Sequence, residues 1–99
     1  MQEMFSKCNE ATLFLKSFSN PNRLMILCCL LEQKRNVTQI TQLTGLPQAA
    51  ISNQLALLRE SQLIDCEKNH RERLYYIKDA RVLELMQLMH RFFCASSAN

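Results

Sequence analysis

A chain of 99 residues has room for one domain of ordinary size and a modest core. Hydrophobic residues at 47% and charged ones at 21% exclude a disordered chain, and a formal net charge of +3 permits a nucleic-acid partner without demanding one. One glycine and two prolines exclude a glycine-rich phosphate loop and a fold of many short strands, and they favour helices.

Residues 3–18 place Met4, Cys8, Ala11, Leu15 and Phe18 at helical spacing, with Leu13 and Phe14 widening the stripe. A helix apolar over so much of its girth calls for burial on two sides, by its own core and by a partner. Ser19-Asn20-Pro21 ends it and starts a second helix, with Asn20 as N-cap and Pro21 at the first helical position. That helix runs from Asn22 to about Gln33 and carries Leu24, Leu27, Cys28 and Leu31 on one face. Gln33 to Asn36 reads as a loop. Val37, Ile40 and Leu43 then predict a short third helix, stopped at Thr44-Gly45-Leu46-Pro47, where glycine takes the left-handed conformation at no steric cost.

A fourth helix is predicted from Gln48 to about Ser61, with Ile51, Leu55 and Leu58 inward. Leu63–Lys68 and Arg73–Ile77 are β-prone, and the polar Asn69-His70-Arg71-Glu72 joins them as a hairpin. Asp79 caps a last helix striped by Val82, Met86, Met89 and Phe93. The expectation is a mainly α (α+β) fold, five helices and one hairpin in a single domain over residues 1–99.

A short helix, a glycine-containing turn, a second helix and a hairpin describe a winged helix-turn-helix. Reading DNA needs a rigid helix offering short polar side chains to base edges. Gln48, Ala49, Ser52, Asn53, Gln54 and Arg59 lie off the apolar face of the fourth helix. Amide side chains pair bidentately with adenine, and serine bonds a base or a phosphate. Arg71 and Arg73, at or beside the hairpin tip, suit the DNA backbone or the minor groove. The competing reading is the plain polar face of a small α+β domain.

Five cysteines are unusual for this length. Met1-Gln2-Glu3-Met4 has neither the basic nor the apolar region of an export signal, and no run of 18 apolar residues occurs. The expectation is a cytoplasmic protein with reduced thiols and no membrane partner, its cysteines core filler, metal ligands or reactive centres. No Cys-x-x-Cys and no Ser-His-Asp set is suggested, so neither an enzyme nor a bound cofactor is expected.

Phe18-Ser19-Asn20-Pro21-Asn22-Arg23-Leu24-Met25-Ile26-Leu27 and Ile51-Ser52-Asn53-Gln54-Leu55-Ala56-Leu57-Leu58-Arg59 resemble the second-helix and recognition-helix signatures of the ArsR/SmtB winged-helix repressors. The resemblance covers about residues 10–94. Gln54 departs from it where the family usually has His, and Pro47 and Ala49 where Ser is common. These departures bear on the operator sequence, not on the fold. The resemblance implies a repressor that is a homodimer through its first and last helices, bound to double-stranded DNA at an inverted repeat.

The family's metal sites find no counterpart: the third helix has no cysteine, Asp79 is followed by Ala80 and Arg81, and only His90 occurs on the last helix. Ile26-Leu27-Cys28-Cys29-Leu30 and Phe92-Phe93-Cys94 instead resemble the cysteine motifs of the BigR, SqrR and HlyU subgroup. That similarity implies a dithiol sensor, Cys28 with Cys94, of reactive sulfur species or oxidants. Cys29 lies about 100° round the helix from Cys28, so the two cannot face Cys94 equally. A thiolate metal sensor using Cys28, Cys94 and Cys8 stays open beside it, as does a regulator with no redox input.

Overall fold

The computed structural model describes residues 1–94. It contains α1 (Gln2–Lys16), α2 (Pro21–Glu32), α3 (Val37–Thr44), α4 (Gln48–Glu60), β1 (Ile64–Asn69), β2 (Glu72–Ile77) and α5 (Ala80–Phe93). The order is the expected one, and the helix ends follow from local chemistry. Asn20 accepts a hydrogen bond from the Arg23 N–H at the start of α2, with proline in the first turn. Asp79 does the same for the Arg81 N–H at the start of α5. Gly45 ends α3 at φ 73°, and its N–H reaches the Thr41 carbonyl at 2.9 Å.

Asn36, expected only as loop, is the N-cap of α3. Its side chain accepts from the Gln39 N–H while the Gln39 side chain accepts from the Asn36 N–H, a reciprocal capping box. The hairpin is also tighter than expected. Asn69 pairs with Glu72, so a two-residue turn of His70 and Arg71 replaces a four-residue loop. His70 takes φ 61°, the left-handed conformation that such turns require.

The core gathers Ile26, Leu27 and Leu30 of α2, Ile40 of α3, and Ile51, Leu55 and Leu58 of α4. Ile64, Val82 and Met86 close it from the hairpin and α5. Each such side chain contributes about 1.5–3 kcal/mol when fully buried. α1 stands outside this arrangement, with none of its residues buried. Phe18, just beyond α1, enters the core and meets the half-buried Phe14 edge to face at 5.0 Å. A radius of gyration of 14.8 Å exceeds the ~13 Å usual at this length, as a projecting helix requires. No helix among the described residues is long and apolar enough to cross a membrane.

The segment between α2 and α3 joins the sheet. Arg35 and Tyr75 exchange backbone hydrogen bonds of 3.1 and 2.8 Å. Asn36 donates from its side chain to Glu72, and Lys34 pairs with Glu67 at 3.1 Å. The hairpin is therefore fixed to the helical body along its length.

Candidate DNA-reading face and dithiol cleft

α4 buries Ile51, Leu55 and Leu58 on one face, which turns Gln48, Ala49, Ser52 and Asn53 to the exposed side. Pro47 at its start provides no side-chain cap, and the first turn carries no acidic residue. The first-turn N–H groups of α4 thus suit phosphate oxygens.

Of the other four residues expected at the DNA, Gln54, Arg59 and Arg73 also make contacts within the chain. Gln54 is half-buried, and its side-chain carbonyl accepts from Arg23 Nε at 2.9 Å. Arg59 pairs with Asp65 at 3.4 Å, at the base of the hairpin. Arg73 lies exposed on β2, with Nη1 3.6 Å from the Cys66 sulfur. Arg71 occupies the exposed turn itself.

A second feature lies away from α4. α2 and α5 flank an open cavity of about 800 Å³ whose walls include Leu24, Leu31, Met89 and Phe93. Cys28 and Cys94 both line it. Cys94 stands at the C-cap of α5, its N–H donating to the His90 carbonyl at 2.8 Å. Burial pushes the Cys28 thiol up, and the nearby Cys94 sulfur adds to the rise because two thiolates repel.

Cys29 faces another way and packs, half-buried, against the core. Burial pushes its thiol up too, opposed by the Arg35 guanidinium. Its carbonyl accepts from Arg35 Nε at 2.8 Å. Cys8 sits on exposed α1 and Cys66 on β1. Among the described residues no three His, Cys, Asp or Glu side chains stand together as a metal site would require.

The contacts that escaped sequence reasoning include the Arg23–Gln54 bond, the Arg35–Tyr75 bridge and the Asn36 box. Only the last has a local signal, the Asn-x-x-Gln spacing ahead of an apolar run.

A glycine-stopped helix, a following helix with a polar outer face and a two-stranded wing define a winged helix-turn-helix regulator. The family model for bacterial regulatory proteins of the arsR family matches residues 20–65. The chain is 33% identical over 94 residues to the biofilm growth-associated repressor of Xylella fastidiosa, covering 95% of this chain and 82% of that protein. It is 32% identical over 97 residues to the transcriptional activator HlyU of Vibrio cholerae, covering 98% and 90%. The structure of reduced HlyU from Vibrio cholerae superposes with a TM-score of 0.87 at 33% identity, covering 95% of this chain and 99% of that one. The chain belongs to the arsR family. It is a DNA-binding transcriptional regulator and not an enzyme.

Proposed function

We propose that this regulator is a cytoplasmic homodimeric repressor that binds an inverted-repeat operator and releases it when Cys28 and Cys94 are modified. Each protomer, one winged-helix unit over residues 1–99, offers Gln48, Ala49, Ser52 and Asn53 to base edges. Arg59, Arg71 and Arg73 serve the DNA backbone and the minor groove beside the wing. Residues 95–99 of that unit lie outside the described residues. Dimerisation through α1 and α5 is supported by the side chains they leave in solvent: Phe5 is 65% exposed, Leu13 69% and Phe93 74%.

The observation that carries the sensing function is the shared cleft, since two cysteines from distant parts of the chain line one cavity. The relative in its reduced form, named above, supports the same reading. In the proposed order Cys94, at the end of α5, attacks and Cys28, on α2 across the cleft, resolves. The Cys94 thiolate takes the sulfane sulfur of an organic persulfide, and the organic thiolate leaves. The Cys28 thiolate then attacks the Cys94 sulfur, forming the disulfide and expelling hydrosulfide. Two electrons pass from the pair of cysteines to that sulfur. With peroxide, Cys94 becomes a sulfenic acid and Cys28 displaces water from it.

The test is a DNA titration of reduced, persulfide-treated and peroxide-treated protein, with Cys28→Ser and Cys94→Ser alongside. Treatment weakens wild-type binding and leaves both variants bound, while mass spectrometry finds a peptide joining residues 28 and 94. A reacted wild-type protein without that linkage, or with undiminished DNA affinity, sinks the proposal.

A further inference from the structure

We infer that Arg23 is a positioning residue for DNA recognition, and that Gln54 is its anchor on α4 rather than a reader of bases. The inference rests on α4 being the helix that reads DNA. Arg23 lies in the first turn of α2 and bonds in three directions. Its backbone N–H donates to the Asn20 side chain at 3.1 Å, Nη1 donates to the Ser17 carbonyl at 3.0 Å, and Nε donates to Gln54 Oε1 at 2.9 Å. Ser17 is the C-cap of α1, whose carbonyl has no partner inside its own helix. One guanidinium thus ties the end of α1, the start of α2 and the middle of α4. Its planar fork makes the tie directional, because two donors must satisfy two acceptors at once.

The chemistry also fixes the amide of Gln54. Arginine only donates, so the oxygen of Gln54 must face it. Bidentate pairing with adenine needs that same oxygen to accept from the base while the amide nitrogen donates. With Oε1 already accepting from Arg23 Nε and the side chain half-buried, Gln54 is held toward α2 and is poorly placed for this task. Asn53, exposed on the same helix, is left to it, with Ser52 beside it for a single bond to a base or a phosphate. α2 also carries Cys28, so the Arg23–Gln54 bond joins the helix of the proposed sensor to α4.

The probe is a duplex enriched by the wild-type protein from a randomised 30-base-pair pool. Affinity for it is measured with Arg23→Met, Gln54→Met, the double variant and the milder Arg23→Lys. Urea unfolding fixes conditions under which each is fully folded. Each methionine variant is expected to bind about tenfold more weakly, the scale of a hydrogen bond to a charged group. The double variant should bind no worse than either single one, and a fresh enrichment with Gln54→Met should return the wild-type bases. Arg23→Lys should lose less. Additive losses, no loss for either arginine variant, or a changed base preference for Gln54→Met would overturn the inference. Failure of the wild-type protein to enrich any duplex would instead overturn the reading of α4.

Discussion

Residue chemistry divides the five cysteines by their surroundings. Cys28 and Cys94 share a cavity, Cys29 packs against the core, and Cys8 and Cys66 sit on other elements. The motif resemblance selected Cys28 over Cys29, and the helix geometry explains why only one of two neighbours reaches the cleft. Burial raises the Cys28 pKa, so less thiolate exists there at a given pH than in an unfolded chain. In a Cys94→Ser background, which keeps burial as the larger cause, Cys28 should alkylate more slowly than the same residue in urea at pH 7.5. The gap should narrow as pH rises. Peptide mass spectrometry after timed iodoacetamide quenching measures both rates. Faster alkylation in the folded protein would contradict the assignment of Cys28 as the resolving thiol.

Helix boundaries depend on single residues. Gly45 has nothing within 4 Å of where a Cβ would sit, so Gly45→Ala meets strain only in its φ of +73°. The cost should be about 1–2 kcal/mol in urea unfolding, and a smaller loss is expected for Gly45→Asn. Asp79→Ala removes the cap of α5 and should cost about 1 kcal/mol near neutral pH. The Arg81 side chain bonded to Asp79 holds its carboxyl below the ordinary carboxylate range. A depressed folded pKa gives stability that is present above the unfolded value and lost as pH falls through the folded one. The gap between Asp79→Ala and the parent should therefore close in acid, below about pH 4. These boundaries were legible because each rests on a neighbour within a few positions: Asn20-Pro21, Gly45, Asp79. The Arg23–Gln54 bond spans 31 positions, which periodicity cannot see. The hairpin turn was misjudged because Asn69 and Glu72 are polar, yet they pair where both faces are wet. The polar side of α4 was legible from the period of its apolar residues, but the Gln54 contact with Arg23 was not, because that partner sits on another element.

At the scale of the whole molecule, the apolar residues of α1 find little cover within the chain. For the proposed dimer, Leu13→Glu is expected to leave urea unfolding of a dilute protomer unchanged while shifting sedimentation from dimer to monomer. Operator affinity should fall with it, because one protomer spans only one half-site. A variant that remains dimeric would place the interface elsewhere. The bridge between Arg35 and Tyr75 has a different consequence. A hairpin that juts from a body exposes two rows of backbone groups, each able to template a strand from another chain. Here the outward N–H and C=O of Tyr75, at the middle of β2, are already occupied. The opposite edge, β1, carries Asp65, Glu67 and Lys68, whose charges disfavour an incoming strand. A wing closed on one side and charged on the other can crowd along DNA beside its copies without nucleating edge-to-edge aggregation.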